Sequence, residues 1–372
     1  MTTTAPVTIR DVAALAGVSQ ATASRVLSGN PATSPESRTR VLSAAADLDF
    51  RPNAQARSLR STRTQTLGLL ISDVRNPFFA DLAHSVEQAA LDRGYVTLLG
   101  NANESTDQQD RYLDTFISQR VDGVIAAPQG AGGGSLTALL ERSIPTVFVD
   151  RTVEGIDVPS VTTDGRAGIR EAVRHLAAEG HTRLGYIAGP QAISTARQRL
   201  EAYLEAIAES GLDQDPHLIF YGDFRSASGA AAAEHLLRLG KPPTALLAAD
   251  SPMAIGAVAA MRRLGVRPGA DVALVAFDDI EWFSLLDPAL TAISHDVGAM
   301  GRAAVDMLLQ VIDGHRPASL RLPSRLVIRK SSVRESAVQK SAVRQAPAES
   351  AGPAGPGSRN DTKQSDQKEQ LE

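Results

Sequence analysis

The sequence predicts an all-α head followed by an α/β core of two doubly wound parallel-sheet lobes. Residues 8–50 show apolar positions at helical spacing, interrupted by short polar turns. From Thr66 onward, short apolar runs alternate with amphipathic stretches in two successive series, which is typical of parallel strands covered by helices on both faces. With 372 residues and 43% hydrophobic content, the chain can bury more than one core.

The head begins with two short helices joined by a tight turn. Thr8 and Ser19 are placed to cap these helices, and Gly17 lies where a sharp turn favours positive φ. Ser34 and Pro35 open a third helix as its cap and first residue. This is the helix-turn-helix arrangement, with its predicted inner face formed by Ile9, Val12, Ala13, Ala16, Val18, Thr22, Val26 and Leu27.

The second helix leaves Gln20, Ala21 and Arg25 pointing outward. Gln20 can pair with adenine, Arg25 with guanine, and Ala21 can touch a thymine methyl. A solvated surface is the alternative for these residues, but their place directly after the Ser19 cap favours base contact. Thr8, Ser19 and Ser24 are expected to contact phosphates. The predicted DNA-facing set on the head is Thr8, Ser19, Gln20, Ala21, Thr22, Ser24 and Arg25.

Charge supports this assignment of the head. Residues 1–63 contain eight arginines and four carboxylates, so their formal charge is +4. Because the whole chain has a formal net charge of −4, the remaining residues carry −8. A basic head on an acidic body suits contact with a phosphate backbone by the head alone.

The core contains two series of predicted strands. A helical stretch over 77–93 follows the first strand, and further helical stretches separate the others. From about Ser331 the chain is rich in Ala, Ser, Gln, Pro and Gly, and we expect a disordered tail over 331–372. The predicted strands are Thr66–Ile71, Tyr95–Leu99, Gly123–Ala127, Thr146–Val149, Leu184–Ala188, Leu218–Tyr221, Ala245–Ala248 and Val272–Ala276.

Several classes of protein are disfavoured. The chain has no cysteine, so it carries no disulfide framework and no thiolate metal site, and no apolar run reaches membrane-spanning length. With no secretory signal at its start, we expect a cytoplasmic protein that contacts no membrane. There is no Gly-x-Ser-x-Gly elbow, no His-Glu-x-x-His and no Gly-Lys-Ser/Thr phosphate loop, so we expect no catalytic residues, no metal and no cofactor.

These motifs together resemble the lactose-repressor (LacI/GalR) family. The helix-turn-helix is followed at family spacing by a hinge-like segment over 51–60, and the core is most similar to ribose-repressor and ribose-binding-protein-like members. The resemblance implies a homodimeric repressor that binds a near-palindromic operator under control of a small effector. It also implies a periplasmic-binding-protein-like core and four regions: head 1–50, hinge 51–65, core 66–330 and tail 331–372. The first lobe would be 66–163 plus 293–330, and the second 164–292.

The hinge carries a leucine in polar surroundings. Leu59 stands among arginines and serines, with no core to join. In the family, a leucine at this position wedges into the central base step from the minor groove and kinks the duplex. Asn53 and Ala56 match residues at the start of the hinge helix and on its groove-facing side. Packing of Leu59 on its symmetry mate is the alternative, and both can hold, because so short a helix should form only on DNA and in the dimer.

The resemblance also implies an effector cleft at the carboxyl ends of the strands. In ribose-binding relatives, the residue matching Asn76 holds a hydroxyl and the matching aromatic residues flank the sugar ring. An Asp-Arg pair binds hydroxyls from two sides, and a further arginine binds the ligand. An aromatic side chain stacks on the ligand, and a carboxylate reaches it from the far lobe. The residues matched here are Asn76, Phe78, Phe79, Asp150, Arg151, Arg197, Phe224 and Asp278.

Some cleft positions depart from the ribose pattern. Asp250 stands where Asn is usual, followed by Ser251 in place of Asp; His295 replaces Gln, and Ala127 replaces Asn. An ionised Asp accepts hydrogen bonds but cannot donate them. The effector should therefore offer extra donors or be bulkier than a free pentose, which leaves a pentose, a nucleoside or a modified sugar open.

The sequence is also compatible with two other functions. A global regulator controlled by a partner protein would need the head but not the cleft residues. A sugar receptor of the transport type would explain residues 66–330 but not 1–63. The head and the cleft residues together favour a ligand-responsive repressor.

Overall fold

The computed structural model describes residues 7–27, 32–50 and 63–333. The hinge predictions for Asn53, Ala56 and Leu59, and those for the tail after Val333, lie outside the described residues.

Three helices form the head and bury a small apolar core. Val12, Ala23 and Val41, one from each helix, are fully buried where the three helices meet. Ala23 was not among the residues predicted for the inner face of the second helix, but the structure buries it there. The helices are α1 Ile9–Leu15, α2 Gln20–Leu27 and α3 Pro35–Asp47.

Local hydrogen bonds fix the ends of these helices. Ser19 Oγ accepts from the Thr22 amide at 3.1 Å, which confirms the predicted cap of α2. At the start of α1, the Asp11 carboxylate accepts from the amide and the hydroxyl of Thr8. Gly17 has φ +62°, as expected of the turn between α1 and α2. The predicted helix-turn-helix is therefore present.

The first lobe is a six-stranded parallel sheet with helices on both faces. Its strand order is β11-β5-β4-β3-β1-β2. Its strands are β1 Thr66–Ile71, β2 Val96–Asn101, β3 Gly123–Ala126, β4 Thr146–Val149, β5 Ser160–Thr163 and β11 Leu320–Leu322. Its helices are α4 Pro77–Leu91, α5 Thr106–Ser118, α6 Gly133–Glu141 and α12 Val297–Ile312.

The second lobe repeats this plan with strand order β12-β10-β9-β8-β6-β7. The edge strand β12 runs antiparallel to β10, a departure from the all-parallel prediction. Its strands are β6 Leu184–Ala188, β7 Ile219–Tyr221, β8 Ala245–Ala248, β9 Ala273–Phe277, β10 Thr291–His295 and β12 Ser324–Val327. Its helices are α7 Gly165–Ala178, α8 Ser194–Glu209, α9 Ser226–Leu237, α10 Ser251–Arg263 and α11 Glu281–Leu285.

The chain passes between the lobes three times. It leaves the first sheet after β5, returns after β10, and crosses again between β11 and β12. Strand pairing thus places residues 291–295 and 324–327 in the second lobe, whereas the lobe bounds expected from the resemblance put 293–330 in the first. The predicted strands were placed within two residues of their observed bounds.

The core continues beyond the predicted start of the tail. Ser331 and Ser332 are buried, and Ser331 Oγ donates to the Leu274 carbonyl at 2.6 Å while accepting from the Thr291 amide at 2.8 Å. The expectation of disorder from Ser331 is therefore wrong for these two residues, because the Ser331 hydroxyl satisfies backbone groups of the second sheet and the Ser332 hydroxyl pairs with the side chains of His175 and Thr291. Within 7–27, 32–50 and 63–333, no helix is long and apolar enough to cross a membrane.

Candidate functional site

The outer face of α2 presents the predicted base-reading side chains. Gln20, Ala21 and Arg25 are exposed, and Arg25 Nε donates to the Ala21 carbonyl within the same helix. Thr22 is half-buried, and its hydroxyl lies 2.9 Å from that of Ser19, so it supports the cap of α2. This surface meets the requirement for a helix that enters a major groove with its first residues.

The cleft between the lobes gathers most of the predicted effector residues. Asn76 caps α4 after β1, and Phe78 and Phe79 lie in its first turn. Asp150 and Arg151 follow β4, and Phe224, Asp250 and Asp278 follow β7, β8 and β9 in turn. All lie at carboxyl ends of parallel strands, where sheets of this kind bind ligands. The residues that line the cleft are Asn76, Phe78, Phe79, Asp150, Arg151, Thr195, Arg199, Phe224, Asp250 and Asp278.

Arg199, and not Arg197, is the arginine that α8 directs into the cleft. The Arg197 side chain is 38% exposed, donates to the Gln191 carbonyl, and lies 3.9 Å from Glu154. The Arg199 side chain is 8% exposed. The prediction of Arg197 as a cleft residue is therefore wrong, because two residues along an α-helix turn the side chain by about 200°.

The spacing of the apolar residues of α8 could have predicted that Arg199 points inward. Ala196, Tyr203 and Ala206 are buried, and Arg199 stands three residues after the first and four before the second. A charged residue on the apolar stripe of a helix must find partners inside the protein.

Arg199 binds groups from several elements. Its Nη1 donates to the Ala249 carbonyl at 2.6 Å, and its guanidinium lies 3.6 Å from the centre of the Phe277 ring. Its Nη2 is 4.0 Å from Asp150 Oδ1, which belongs to the first lobe. Arg199 therefore brings a positive charge from the second lobe to a carboxylate of the first.

Arg151 is fixed by residues that the sequence analysis did not identify. Its two terminal nitrogens donate to Glu104 at 2.8 Å each, and one also donates to Gln129. Its guanidinium lies 5.5 Å from the Phe79 ring and 5.4 Å from the Phe224 ring. Burial alone would lower the pKa of Arg151, but Glu104 holds it above its usual value, so this arginine stays charged.

The buried carboxyl groups of the cleft hold their protons more tightly than usual. Burial raises the pKa of Asp250 to about 8, and that of Asp278 to about 6 against the opposing charge of Arg199. Burial also raises the pKa of Asp150, although Arg199 and Arg151 oppose it. The cause is the loss of water around each charge.

His295 lies behind the cleft rather than on its lining. Its Nδ1 is 3.9 Å from Asp278 Oδ1, and its ring centre is 5.3 Å from that of Phe78. Burial lowers its pKa to about 4, and the charge of Arg199 acts in the same direction. The imidazole is therefore neutral near pH 7.

Three hydrogen bonds among the described residues join the first lobe to the second. The Thr152 amide donates to Ser194 Oγ at 2.9 Å, Arg225 donates to the Asn103 carbonyl at 3.1 Å, and Ser251 Oγ donates to Asn76 Oδ1 at 3.4 Å. The central cavity is about 10 Å³, room for one water molecule. A ligand the size of a sugar therefore enters only when the lobes move apart.

Comparison with known proteins gives consistent matches to head and core. The model of bacterial regulatory proteins of the lacI family matches residues 8–53, and that of the periplasmic binding protein-like domain matches 173–332. The HTH-type transcriptional regulator GalR of Escherichia coli (strain K12) is 33% identical over 327 residues, covering 88% of this chain and 95% of GalR.

Solved structures agree. The lac repressor dimer bound to operator and the anti-inducer ONPF matches with a TM-score of 0.79 at 29% identity, covering 88% of this chain and all of that chain. The complex of the transcriptional regulator CelR with cellobiose matches with a TM-score of 0.67 at 32% identity, covering 87% of this chain and 99% of that one.

Proposed function

The chain belongs to the LacI family of bacterial regulatory proteins, and from this we propose that a pentose or nucleoside bound between its lobes controls its affinity for a near-palindromic operator. As a family member it is a DNA-binding transcriptional repressor and not an enzyme. We assign residues 1–50 to operator binding, 51–65 to the hinge, and the core to effector binding and dimerisation, and we place its action in the cytoplasm.

The proposed operator contacts follow from the exposed face of α2. Gln20 reads adenine, Arg25 reads guanine, and Ala21 meets a thymine methyl in each half-site. Thr8, Ser19 and Ser24 hold phosphates and set the register. Leu59 opens a central C-G step from the minor groove, with Asn53 and Ala56 beside it in the hinge.

The observation that carries effector control is the cleft itself. Phe78, Phe79 and Phe224 supply apolar faces, while Asn76 and Asp150 supply polar groups, and all line one space between two lobes. An apolar wall with a few convergent polar groups is typical of a small-molecule site. The resemblance of residues 76–79 to the opening motif of ribose-binding proteins supports a pentose or a pentose-bearing nucleoside.

A ligand that contacts both lobes changes the position of one lobe relative to the other. In a dimer, a shift between the two first lobes alters whether both hinge segments can fold on DNA. The ligand can move this equilibrium only by its difference in affinity for the two states, about 1–3 kcal/mol in typical cases.

A screen of pentoses, hexoses and nucleosides tests this function. Ligands are first found by thermal shift, since a ligand at 100 times its Kd stabilises by roughly 2.7 kcal/mol. Fluorescence anisotropy then measures operator affinity with and without each hit. We expect at least one pentose or nucleoside to change operator affinity by about fivefold or more, in either direction. Operator binding that no such ligand alters would favour control by a partner protein.

A further inference from the structure

A second cavity lies beside the crossings between the lobes and is separate from the cleft. Its volume is about 450 Å³, against about 10 Å³ for the closed cleft. Small-molecule sites in proteins have volumes of roughly 300–1,000 Å³, so this crossing cavity is large enough for a metabolite. The residues that line the crossing cavity are Ser294, His295, Asp296, Pro323, Ser324 and Arg325.

The crossings themselves form the wall of this cavity. Residues 294–296 lead from β10 into α12, and residues 323–325 connect β11 to β12. The remaining crossing is bound to them, because Ser324 Oγ donates to the Asp164 carbonyl at 2.5 Å and the Asp164 amide donates to the Leu322 carbonyl at 2.7 Å. All three crossings therefore meet at this wall, and a movement of one lobe against the other must change its shape.

The crossing cavity and the cleft lie on opposite faces of the paired strands β10 and β12. In this pair Ser294 is opposite Arg325, and His295 is opposite Ser324. Successive residues of a strand point to opposite faces of a sheet. His295 is directed to the cleft side, where its Nδ1 lies 3.9 Å from Asp278 Oδ1. Ser294 and Arg325 therefore point away from the cleft, and a ligand that binds them would not occupy the effector site.

Arg325 brings an unpaired positive charge to this cavity. Its side chain is exposed and makes no hydrogen bond or ion pair with any residue in the ranges that the structure describes. The Ser294 hydroxyl, also unbonded within those ranges, stands on the facing strand at a Cβ separation of about 5 Å. A guanidinium group matches the oxygen atoms of a carboxylate or phosphate, and a hydroxyl adds a further donor.

The start of α12 adds positive charge next to the cavity. Asp296 caps this helix, and its Oδ1 accepts from the Ala299 amide at 2.7 Å. The Arg302 guanidinium lies beside that cap, since a Cβ on Gly298 would be 3.1 Å from Arg302 Nη1 and 3.3 Å from Asp296 Oδ1. Two guanidinium groups and the positive end of a helix dipole thus accompany one carboxylate. This local excess is opposite in sign to the charge of −8 outside residues 1–63.

We propose that the crossing cavity binds a small organic anion, whose carboxylate or phosphate group is held by Arg325 and Ser294, and that this binding adjusts the position of the lobes. The second part rests on the proposed effector control, since it requires that lobe position governs operator affinity. An anion bound against the crossings contacts the strands that move, so it binds one lobe arrangement more tightly and favours it. Its effect on a cleft ligand is then reciprocal.

Calorimetry on the full chain tests the site. The anionic probes are citrate, 3-phosphoglycerate and inorganic phosphate, and glycerol is the neutral probe. All titrations are made at one ionic strength, because salt screens unspecific attraction between charges. We expect citrate or 3-phosphoglycerate to bind at one site per chain and glycerol not to bind. Arg325→Gln should weaken the bound anion by at least about tenfold, because a charged donor is lost.

Two control variants separate this site from other positive surfaces. Arg321→Gln removes an exposed arginine of β11 that does not line the cavity, so it measures unspecific attraction. Arg199→Met removes a positive charge from the cleft. Both variants should bind the anion within about twofold of the unchanged protein. Scanning calorimetry should give Arg325→Gln the Tm of the unchanged protein, because the replaced side chain is exposed.

Operator binding tests the second part of the proposal. Fluorescence anisotropy measures operator affinity at saturating anion and at the same ionic strength without it. We expect the anion to change operator affinity by about fivefold or more in the unchanged protein and in Arg321→Gln. The change should disappear in Arg325→Gln, while a ligand of the cleft should still act on that variant.

Several results would overturn the proposal, and they differ in what they leave standing. The site is wrong if no anionic probe binds, if Arg325→Gln binds as tightly as the unchanged protein, or if Arg199→Met abolishes binding. Equal affinity for glycerol would refute the assignment to anions. If an anion binds through Arg325 without altering operator affinity, whereas a cleft ligand alters it, the regulatory part fails and effector control stands. If neither ligand alters it, the proposed effector control fails as well.

Discussion

Arg199 and Asp150 face each other across the cleft, with Arg199 Nη2 at 4.0 Å from Asp150 Oδ1. One belongs to the second lobe and the other to the first, so this pair reports the distance between the lobes at the point where a ligand would sit. Its separation leaves room for a ligand hydroxyl to bridge the two groups once the lobes part.

Arg199→Met should abolish the effector response while leaving operator affinity without effector within about twofold, because the head and the cleft are separate sites. The matched control is Arg197→Met, two residues away on the same helix and directed outward. Anisotropy titrations of operator with and without effector measure both. A normal response from the Arg199 variant would mean that the cleft is not the control site.

Arg25→Ala should cost about 1–3 kcal/mol of operator binding and relax the preference for one base pair in each half-site. Its guanidinium is exposed on α2, where it can form two hydrogen bonds to guanine. Affinities for the operator, for single-base variants and for random DNA give the answer. Equal losses on operator and random DNA would show that Arg25 touches only phosphate.

Leu59→Ala should reduce operator bending and affinity without changing effector binding. The reason is the wedge proposed from the family resemblance, since unstacking a base step needs an apolar side chain of sufficient size. A gel-shift phasing assay measures the bend, and calorimetry with the effector serves as the control. An unchanged bend angle would remove the wedge.

The Asp122 carboxylate binds two backbone amides of the linker at its entry to the core. Asp122 accepts from the Thr64 amide at 2.6 Å and the Gln65 amide at 2.8 Å. Asp122→Ala should therefore lower the free energy of unfolding by about 1–3 kcal/mol, because two backbone donors lose their partner. Chemical denaturation measures this loss, and Asp107→Ala, an exposed carboxylate in the first turn of α5, is the control. Equal stability of the two variants would contradict the anchoring role.

Stability should depend on pH through Asp250. Its pKa is about 8 in the folded protein against an ordinary value of 3.8, so between these values the folded state holds a proton that the unfolded state has lost. Its contribution to the free energy of unfolding is complete below about pH 4 and is lost as the pH rises to about 8. Relative to the unchanged protein, Asp250→Asn should therefore gain at least about 2 °C in Tm between pH 5 and pH 8.

Scanning calorimetry without ligand measures this difference. His295 provides the opposite case, since its lowered pKa of about 4 removes stability as the pH falls below about 6.5. His295→Gln should gain Tm relative to the unchanged protein only on the acidic side. A Tm difference between Asp250→Asn and the unchanged protein that stays constant from pH 5 to pH 8 would contradict the buried-carboxyl explanation.

The features that were predicted correctly from the sequence are those that depend on local interactions. The cap at Ser19, the turn at Gly17 and the exposed outer face of α2 follow from side chains within a few residues of each other, and all three are present in the head. The buried strands were predicted for the same reason, because a short apolar run bounded by turn residues is a local pattern. Local motifs also placed Asn76 and Asp150 correctly at the cleft.

Features that depend on contacts between distant residues became visible in the folded chain alone. Strands β10, β11 and β12 lie next to the points where the chain crosses between the lobes. Their pairing with neighbouring strands, and not their composition, assigns each of them to a lobe. Arg199 replaces Arg197 because the packing of α8 fixes which side of the helix faces inward. Glu104 and Gln129 became part of the site because the fold brings them to Arg151 from 47 and 22 residues away. Such contacts arise between separate elements, and a periodic pattern within one element holds no information about them.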